Sequence, residues 1–283
     1  MSGIIIQGFL ISGLYALVAV GFTLIFSVGR VLNLAYGVYI MLGGYAYYTL
    51  SQMLELSKVV SLLGAIVVGI LFGIITYFGI VKRLLSNPIA VEISTLILAV
   101  VMQAVIILIY SPAPRAIWPI ITGITRVHEV TISWNIFFAM ITSWLVLGAL
   151  LIFVRKTQLG RAILAVSMDT KGALLSGIDP ERINILTWGL SGALGALAGV
   201  FFATYTQQDP TMWVSPLITA VAVVIIGGIG SIMGSLVAAH IVCFIETITT
   251  TVNAPEKRGV FTFLLNIIIL DVLPKGLFVK EQA

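Results

Sequence analysis

Long stretches without a Lys, Arg, Asp or Glu recur along the chain, at 1–29, 31–54, 59–81, 93–114, 130–154, 183–208 and 210–245. A hydrocarbon layer about 30 Å thick is crossed by roughly 20 apolar residues in a helix. Each run is long enough to cross, and a shorter one, 259–270, extends through Asp271 to Leu273. Inside lipid the backbone must satisfy its own hydrogen bonds, which a helix does. Of the 283 residues, 60% are hydrophobic and 9% charged, against about a quarter charged in a soluble domain. The expected fold class is therefore all-α, a polytopic transmembrane helical bundle of about eight or nine spans. No separate soluble domain interrupts residues 1–283, which read as a single transmembrane domain.

The run 210–245 is too long for one span, and Gly227, Gly228 and Gly230 interrupt it. Glycine disfavours helix interiors, so two segments are expected, about 216–226 and 232–252. The first is short for a crossing and reads as a broken or re-entrant element, of the kind that lies near substrate paths in transporters. Nine crossings with an external N-terminus put ten basic residues in the cytoplasm: Arg30, Lys82, Arg83, Arg155, Lys156, Arg161, Lys171, Arg182, Lys275 and Lys280. Five remain outside: Lys58, Arg115, Arg126, Lys257 and Arg258. Basic residues favour the cytoplasmic side, so the N-terminus is expected outside and the C-terminus in the cytoplasm. A re-entrant 216–226 would exchange Lys257 and Arg258 for Lys275 and Lys280, leaving the count unchanged. No Lys or Arg precedes Arg30. The basic start of a cleavable signal peptide is missing, and the first helix is expected to stay in the mature protein.

Helix starts are expected at Asn87-Pro88, Asp179-Pro180, Asp209-Pro210 and Ser215-Pro216. Each sets a capping side chain before a proline suited to a first helical turn. Gly69 with Gly73, Gly195 with Gly199 and Gly230 with Gly234 are spaced to let helices approach closely in lipid. The span from Asn184 to Tyr205 is rich in Gly and Ala and should pack centrally. Segment 111–133 is too proline-interrupted to cross and reads as an outside loop with a short surface element. Gln207-Gln208-Asp209 reads as an outside turn.

Several chemistries are excluded. No glycine is followed at Walker spacing by Gly-Lys-Ser/Thr, and Gly227-Gly228-Ile229-Gly230 does not complete a dinucleotide fingerprint. The chain has no ATPase site of its own, so energy for any driven transport must come from elsewhere. His128 and His240 are too isolated to hold a metal, and the single Cys243 excludes an intramolecular disulfide. The net charge of +4 follows from where Lys and Arg sit and is no sign of nucleic-acid binding.

Acids inside a membrane are costly and mark functional positions. Glu92 sits one turn into the helix opened by Asn87, where it complements the positive helix end. Asp271 lies near a helix end. Glu246 lies well inside its segment among Thr247, Thr249, Thr250 and Thr251. It faces either a polar cavity or an interhelical hydrogen bond. Asn33-Leu34-Ala35-Tyr36-Gly37, just after Arg30, offers an amide, a phenol and a glycine that could bind a polar solute or one another.

One segment departs from all this. Arg155 to Arg182 holds Arg155, Lys156, Arg161, Lys171 and Arg182 with Asp169, Asp179 and Glu181, between long uncharged runs. Within it, LGRAILAVSMDTKGALLSGIDPERIN resembles the cytoplasmic coupling segment of the permease subunits of branched-chain amino acid ABC importers. The NLAYG motif at 33–37, VVIIGGIGSIMGSLVAAHIV from Val223, Glu246 after it and LPKGLF near the end resemble the same family in the same order. The resemblance spans nearly the whole chain. It implies a permease subunit that pairs with a second permease, expected to be a paralogue. It further implies two ATP-binding cassette subunits docked on segment 155–182 and an extracytoplasmic solute-binding protein. ATP and Mg would sit on the ATPases, with no cofactor on this chain. Residues from about Ser167 to Gly177 would form the coupling helix, with Gly160, Arg161, Asp169, Lys171, Ala173 and Gly177 as the coupling residues. Asn33, Tyr36, Gly37 and Glu246 would line the substrate pathway. Tyr36 stands where the family motif carries histidine, so preference can shift from branched-chain amino acids toward urea or short amides. The rival class is an ion-coupled secondary carrier, against which the chain offers no dense set of midplane acids.

Overall fold

A computed structural model describes residues 2–127, 130–228 and 230–252. It is a helical membrane bundle. Helix α1 (Ser2–Gly29) leads through a short turn to α2 (Tyr36–Tyr48), which continues into a π-helical turn, Thr49–Met53. Helix α3 (Lys58–Thr76) also ends in a π turn, Tyr77–Val81, closed by the single turn α4 (Lys82–Leu84). Then come α5 (Pro88–Tyr110), the antiparallel hairpin of β1 (Ile124–Val127) and β2 (Val130–Ser133), and α6 (Trp134–Lys156). Two short helices, α7 (Gln158–Met168) and α8 (Thr170–Leu175), precede the long α9 (Pro180–Tyr205). Helices α10 (Val214–Gly227) and α11 (Ile232–Val252) close the described chain.

Five helical stretches among the described residues are long and apolar enough to cross a membrane: Ile6–Gly29, Lys58–Leu84, Pro88–Tyr110, Trp134–Lys156 and Pro180–Tyr205. Helices α10 and α11 qualify together as a pair bent by 119°, the geometry of a broken span or a re-entrant loop, and make a sixth if the pair is one span. The expectation of eight or nine counted each half of this pair. It also counted run 31–54, of which only Tyr36–Met53 is helical, and segment 259–273, which lies outside the described residues. The glycine break falls where the sequence places it, with Gly228 at φ +95° and Gly230 at φ +84°.

Capping chemistry explains most helix starts. Asn87 accepts from the Ala90 amide ahead of α5, and Asp179 from the Glu181 amide ahead of α9, each followed by proline. The other two Asx/Ser-Pro pairs behave differently. Asp209 Oδ1 accepts from the Thr211 amide at 2.7 Å and holds a turn. Helix α10 begins at Val214 with no side-chain cap, leaving Pro216 inside its first turn. The first amides of a helix have no intrahelical partner, so proline fits anywhere in that turn and does not fix its start.

Helix α9 is the axis. It packs against α3, α2 and α1, and its backbone touches theirs through small residues. A Cβ on Gly69 would collide with the Gly192 carbonyl, one on Gly73 with the Trp188 carbonyl and one on Gly199 with the Ile40 carbonyl. The Gly69/Gly73 and Gly195/Gly199 pairs therefore make helix seams, without which α3 and α2 could not approach α9. The third expected pair does not act as a pair. Gly234 packs on Gly227 across the break between α10 and α11, while Gly230 is a turn residue. Helices α1 and α9 are largely buried, whereas α3, α5 and α6 expose Leu63, Leu71, Ile97, Leu108 and Leu145. In hydrocarbon an apolar outward face is at home.

Segment 111–133 is more ordered than a plain loop. Lys58 Nζ donates to the Pro119 and Ile120 carbonyls at 2.7 and 3.0 Å, and Asn135 Oδ1 accepts from the Ile120 amide at 2.9 Å. The backbones of Arg115 and Gln208 exchange two hydrogen bonds, at 2.8 and 2.9 Å. Gln208 is thus fully buried within the turn expected at 207–209. Helix α6 runs about 35 Å, so the hairpin before it and α7–α8 after it lie at opposite ends of the bundle.

Candidate functional site

The turn between α1 and α2 carries the first candidate group. Asn33 closes the turn locally, its Oδ1 accepting from the Ala35 amide at 3.1 Å. Its Nδ2 donates to the Tyr39 hydroxyl at 2.9 Å. Thr95 of α5 accepts from the Leu34 amide at 3.1 Å and ties the turn to a neighbouring span. Tyr36 is fully buried, its ring edge-on to Phe22 and to Tyr39 with centroids 5.6 Å away in each case. Its hydroxyl lies against Gly21 and has no hydrogen-bond partner. A buried hydroxyl left unpaired costs about 1–3 kcal/mol, so this atom requires an explanation. Gly37 sits beneath the start of α10, where a Cβ would run into the Trp213 carbonyl. Trp213 in turn donates from Nε1 to Gln103 Oε1 of α5 at 2.6 Å.

The structure brings Asn33, Tyr36 and Gly37 into one turn, at the junction of α1, α2, α5, α9 and α10. Glu246 belongs to a different contact. It is 5% exposed on α11, the helix that packs along α1. Cys243, one turn earlier, donates to the Gly8 carbonyl, and Thr247 donates to the Cys243 carbonyl. The carboxyl group is therefore enclosed by helix packing and does not face lipid. Tyr39 and Thr95 are the residues sequence reading missed. The signal for Tyr39 was its spacing of three from Tyr36, one helical turn on the same face.

The second group is α7 and α8. Gly160 packs on α6 so closely that a Cβ would meet the Phe153 carbonyl. Thr157 caps α7 and Asp169 caps α8, the latter accepting from the Lys171 amide at 3.0 Å. Ala173 is buried in a small cluster with Val28, Ile163, Val166 and Ile183, which fixes α8 to α1, α7 and α9. At the other end Gly177 takes φ +81°. The Gly177 amide donates to the Leu174 carbonyl and the Ile178 amide to the Ala173 carbonyl, both at 3.0 Å. This is the Schellman pattern, which needs a left-handed residue at the Gly177 position. The helix expected from Ser167 to Gly177 is thus shorter, six residues between two caps, because Asp169 ends α7 as it begins α8.

Helix α8 exposes Thr170 and Lys171 in its first turn and two leucines at its end. Leu174 is 60% exposed, Leu175 89% and Met168 68%. Arg161, Asp169 and Lys171 are exposed beside them. Two ion pairs, Lys82 with Glu181 and Arg182 with Asp179, hold the start of α9 nearby. Helix α8 is thus a short turn capped at both ends, with two leucines exposed beside charged residues.

The chain matches the model of the branched-chain amino acid transport system permease component over residues 4–270. It is 27% identical to the high-affinity branched-chain amino acid transport system permease protein LivH of Escherichia coli K12, over 98% of this chain and 95% of that one. It is also 27% identical to the corresponding protein BraD of Pseudomonas aeruginosa, over 99% and 96%. It is 30% identical to a probable LivH of Methanocaldococcus jannaschii, over 87% and 80%. No solved structure matches it. With a family match running from α1 past α11, the chain belongs to the permease components of branched-chain amino acid ABC transport systems.

Proposed function

We propose that this chain forms half of the membrane pathway of an ABC importer for branched-chain amino acids, working by alternating access with hydrolysis on two partner ATPases. ATP binding draws the ATPases together, α8 moves with them, and the paired permeases open to the outside. A binding protein delivers solute, and hydrolysis restores the inward state. ATP and Mg belong to the ATPases. The second permease is a paralogue, the N-terminus lies outside and the C-terminus in the cytoplasm of an inner membrane. The observation that carries this reading is α8: capped at both ends, anchored by Ala173 and showing Leu174 and Leu175. A conformational equilibrium shifts only through differential contacts with its states, and α8 offers the contact surface. Gly160, Asp169, Ala173 and Gly177 shape this surface, while Arg161 and Lys171 contact the ATPase. Asn33, Tyr36, Gly37 and Glu246 belong to the pathway. Tyr36 is enclosed in this state, and its unpaired hydroxyl gains a partner when α1, α2 and α9 separate.

The test is mass spectrometry of the small molecule carried by the co-purifying binding protein, together with uptake into proteoliposomes after ion gradients are collapsed. Leucine, isoleucine or valine with ATP-dependent uptake is the expected result. Urea or an amide would overturn the substrate class, and gradient-dependent, ATP-independent uptake would overturn the importer reading.

A further inference from the structure

Arg30 ends α1 in a backbone conformation that L-residues avoid, φ +50°. Glycine or asparagine is the usual choice there, and a strained residue persists where its surroundings hold it. What holds Arg30 is α7. Its Nη2 donates to the Met168 carbonyl at 2.9 Å and to the Ser167 carbonyl at 3.3 Å. The last four carbonyls of a helix lack intrahelical partners, and here all four are accounted for. Ala165 accepts from the Asp169 amide and Val166 from the Thr170 hydroxyl, while Arg30 takes the last two. A guanidinium at this end also complements the helix dipole. Arg30 therefore caps α7 from another helix, one residue before Asp169 caps α8.

On its other side Arg30 leads directly into the turn of Asn33, whose neighbour Leu34 is bonded to Thr95 of α5. Below it, Val28 packs in the same cluster as Ala173. A displacement of α8 thus reaches the α1–α2 turn by two routes, an apolar one through Val28 and a polar one through Arg30. We infer that Arg30 is the positioning residue that transmits movement of the α7–α8 elbow to the turn carrying Asn33 and Tyr36. This rests on the proposed role of α8 in docking an ATPase.

The experiment uses the complete complex in proteoliposomes with Arg30→Ala, Arg30→Gly and Arg30→Lys. Assembly, melting temperature, basal ATP hydrolysis and its stimulation by solute-loaded binding protein are measured together. Both Arg30→Ala and Arg30→Gly lose the two bonds to α7, but glycine also relieves the backbone strain, so Arg30→Gly is expected to melt above Arg30→Ala and close to the wild type. All three variants should hydrolyse ATP at the basal rate. Stimulation should fall close to onefold in Arg30→Ala and Arg30→Gly, with partial recovery in Arg30→Lys, which keeps a cation at the helix end without the forked donor. Wild-type stimulation in Arg30→Gly overturns the inference, as does a loss of stimulation in any variant that only follows its loss of assembly. The importer reading fails separately, by wild-type uptake that does not require ATP.

Discussion

Gly177 offers a substitution whose effect depends on backbone conformation alone. A Cβ built there meets nothing within 4 Å, so Gly177→Ala breaks no packing. It does force alanine to φ +81°, and the left-handed region costs an L-residue about 1–2 kcal/mol. Asparagine tolerates that region better than alanine. Proline cannot reach it and would also delete the amide that donates to the Leu174 carbonyl, costing about 3 kcal/mol or more. Helix α8 has six residues and cannot hold itself together without its ends. The penalty falls on its own opening equilibrium, as a factor of roughly 5–30 for alanine. Hydrogen exchange at the Ser176, Gly177 and Ile178 amides of the assembled complex reads this factor, with α9 amides as an internal reference. In Gly177→Pro, Ser176 and Ile178 serve alone. Exchange should accelerate in the order asparagine, alanine, proline, and ATP-driven uptake should decline in the same order. Unchanged exchange in Gly177→Ala would refute the strain argument. Accelerated exchange with full uptake would refute the role given to α8.

At the other cap, Asp169→Ala removes the acceptor of the Lys171 amide, and losing such a cap costs about 0.5–2 kcal/mol; faster exchange confined to α8 and reduced uptake are expected. Gly192→Leu places a side chain against the Gly69 carbonyl and should abolish folded protein in the membrane, whereas Gly148→Leu, where a Cβ meets nothing within 4 Å, should accumulate normally by detergent gel filtration. Tyr36→Phe deletes a buried hydroxyl that has no partner, so the melting temperature should hold or rise by the equivalent of about 1 kcal/mol. Reduced uptake in that variant, despite unchanged stability, is expected if the hydroxyl finds its partner only in another transport state. Full uptake removes Tyr36 from the pathway.

The fold was legible wherever a single local rule governs. Charge-free runs of hydrocarbon length gave five spans, and Asn87-Pro88 and Asp179-Pro180 gave two helix starts to the residue. The glycine break at 227–230 gave the bent α10–α11 pair. The described residues give five spans, or six with the bent pair, which is compatible with the eight or nine expected, since segment 259–273 lies outside them. In run 31–54, Val31 to Ala35 form a hydrogen-bonded turn, and the helical part is Tyr36–Met53, α2 with the π turn that continues it. Proline after a capping residue did not by itself mark a helix start: Asp209 bonds the Thr211 amide as Asp179 bonds that of Glu181, yet the first holds only a turn and the second opens α9.

The candidate sites divide in the same way. Each end of α8 is a local device, and Asp169 and Gly177 stand at the positions their chemistry requires. The Asn33 turn is not local. Its meaning depends on Thr95, which lies 61 residues away, and on Tyr39, whose buried face is set by α9. Arg30 shows the difference most clearly. From sequence it is one cytoplasmic cation among ten, counted only for its charge. In the fold its positive φ and its two bonds to α7, 137 and 138 residues distant, make it the point where the α7–α8 elbow meets the α1–α2 turn. A long-range contact of this kind leaves no periodicity or spacing in the sequence. The one trace it does leave is a bulky cation at a helix end where glycine is the cheaper residue, and that is why Arg30→Gly separates coupling from folding.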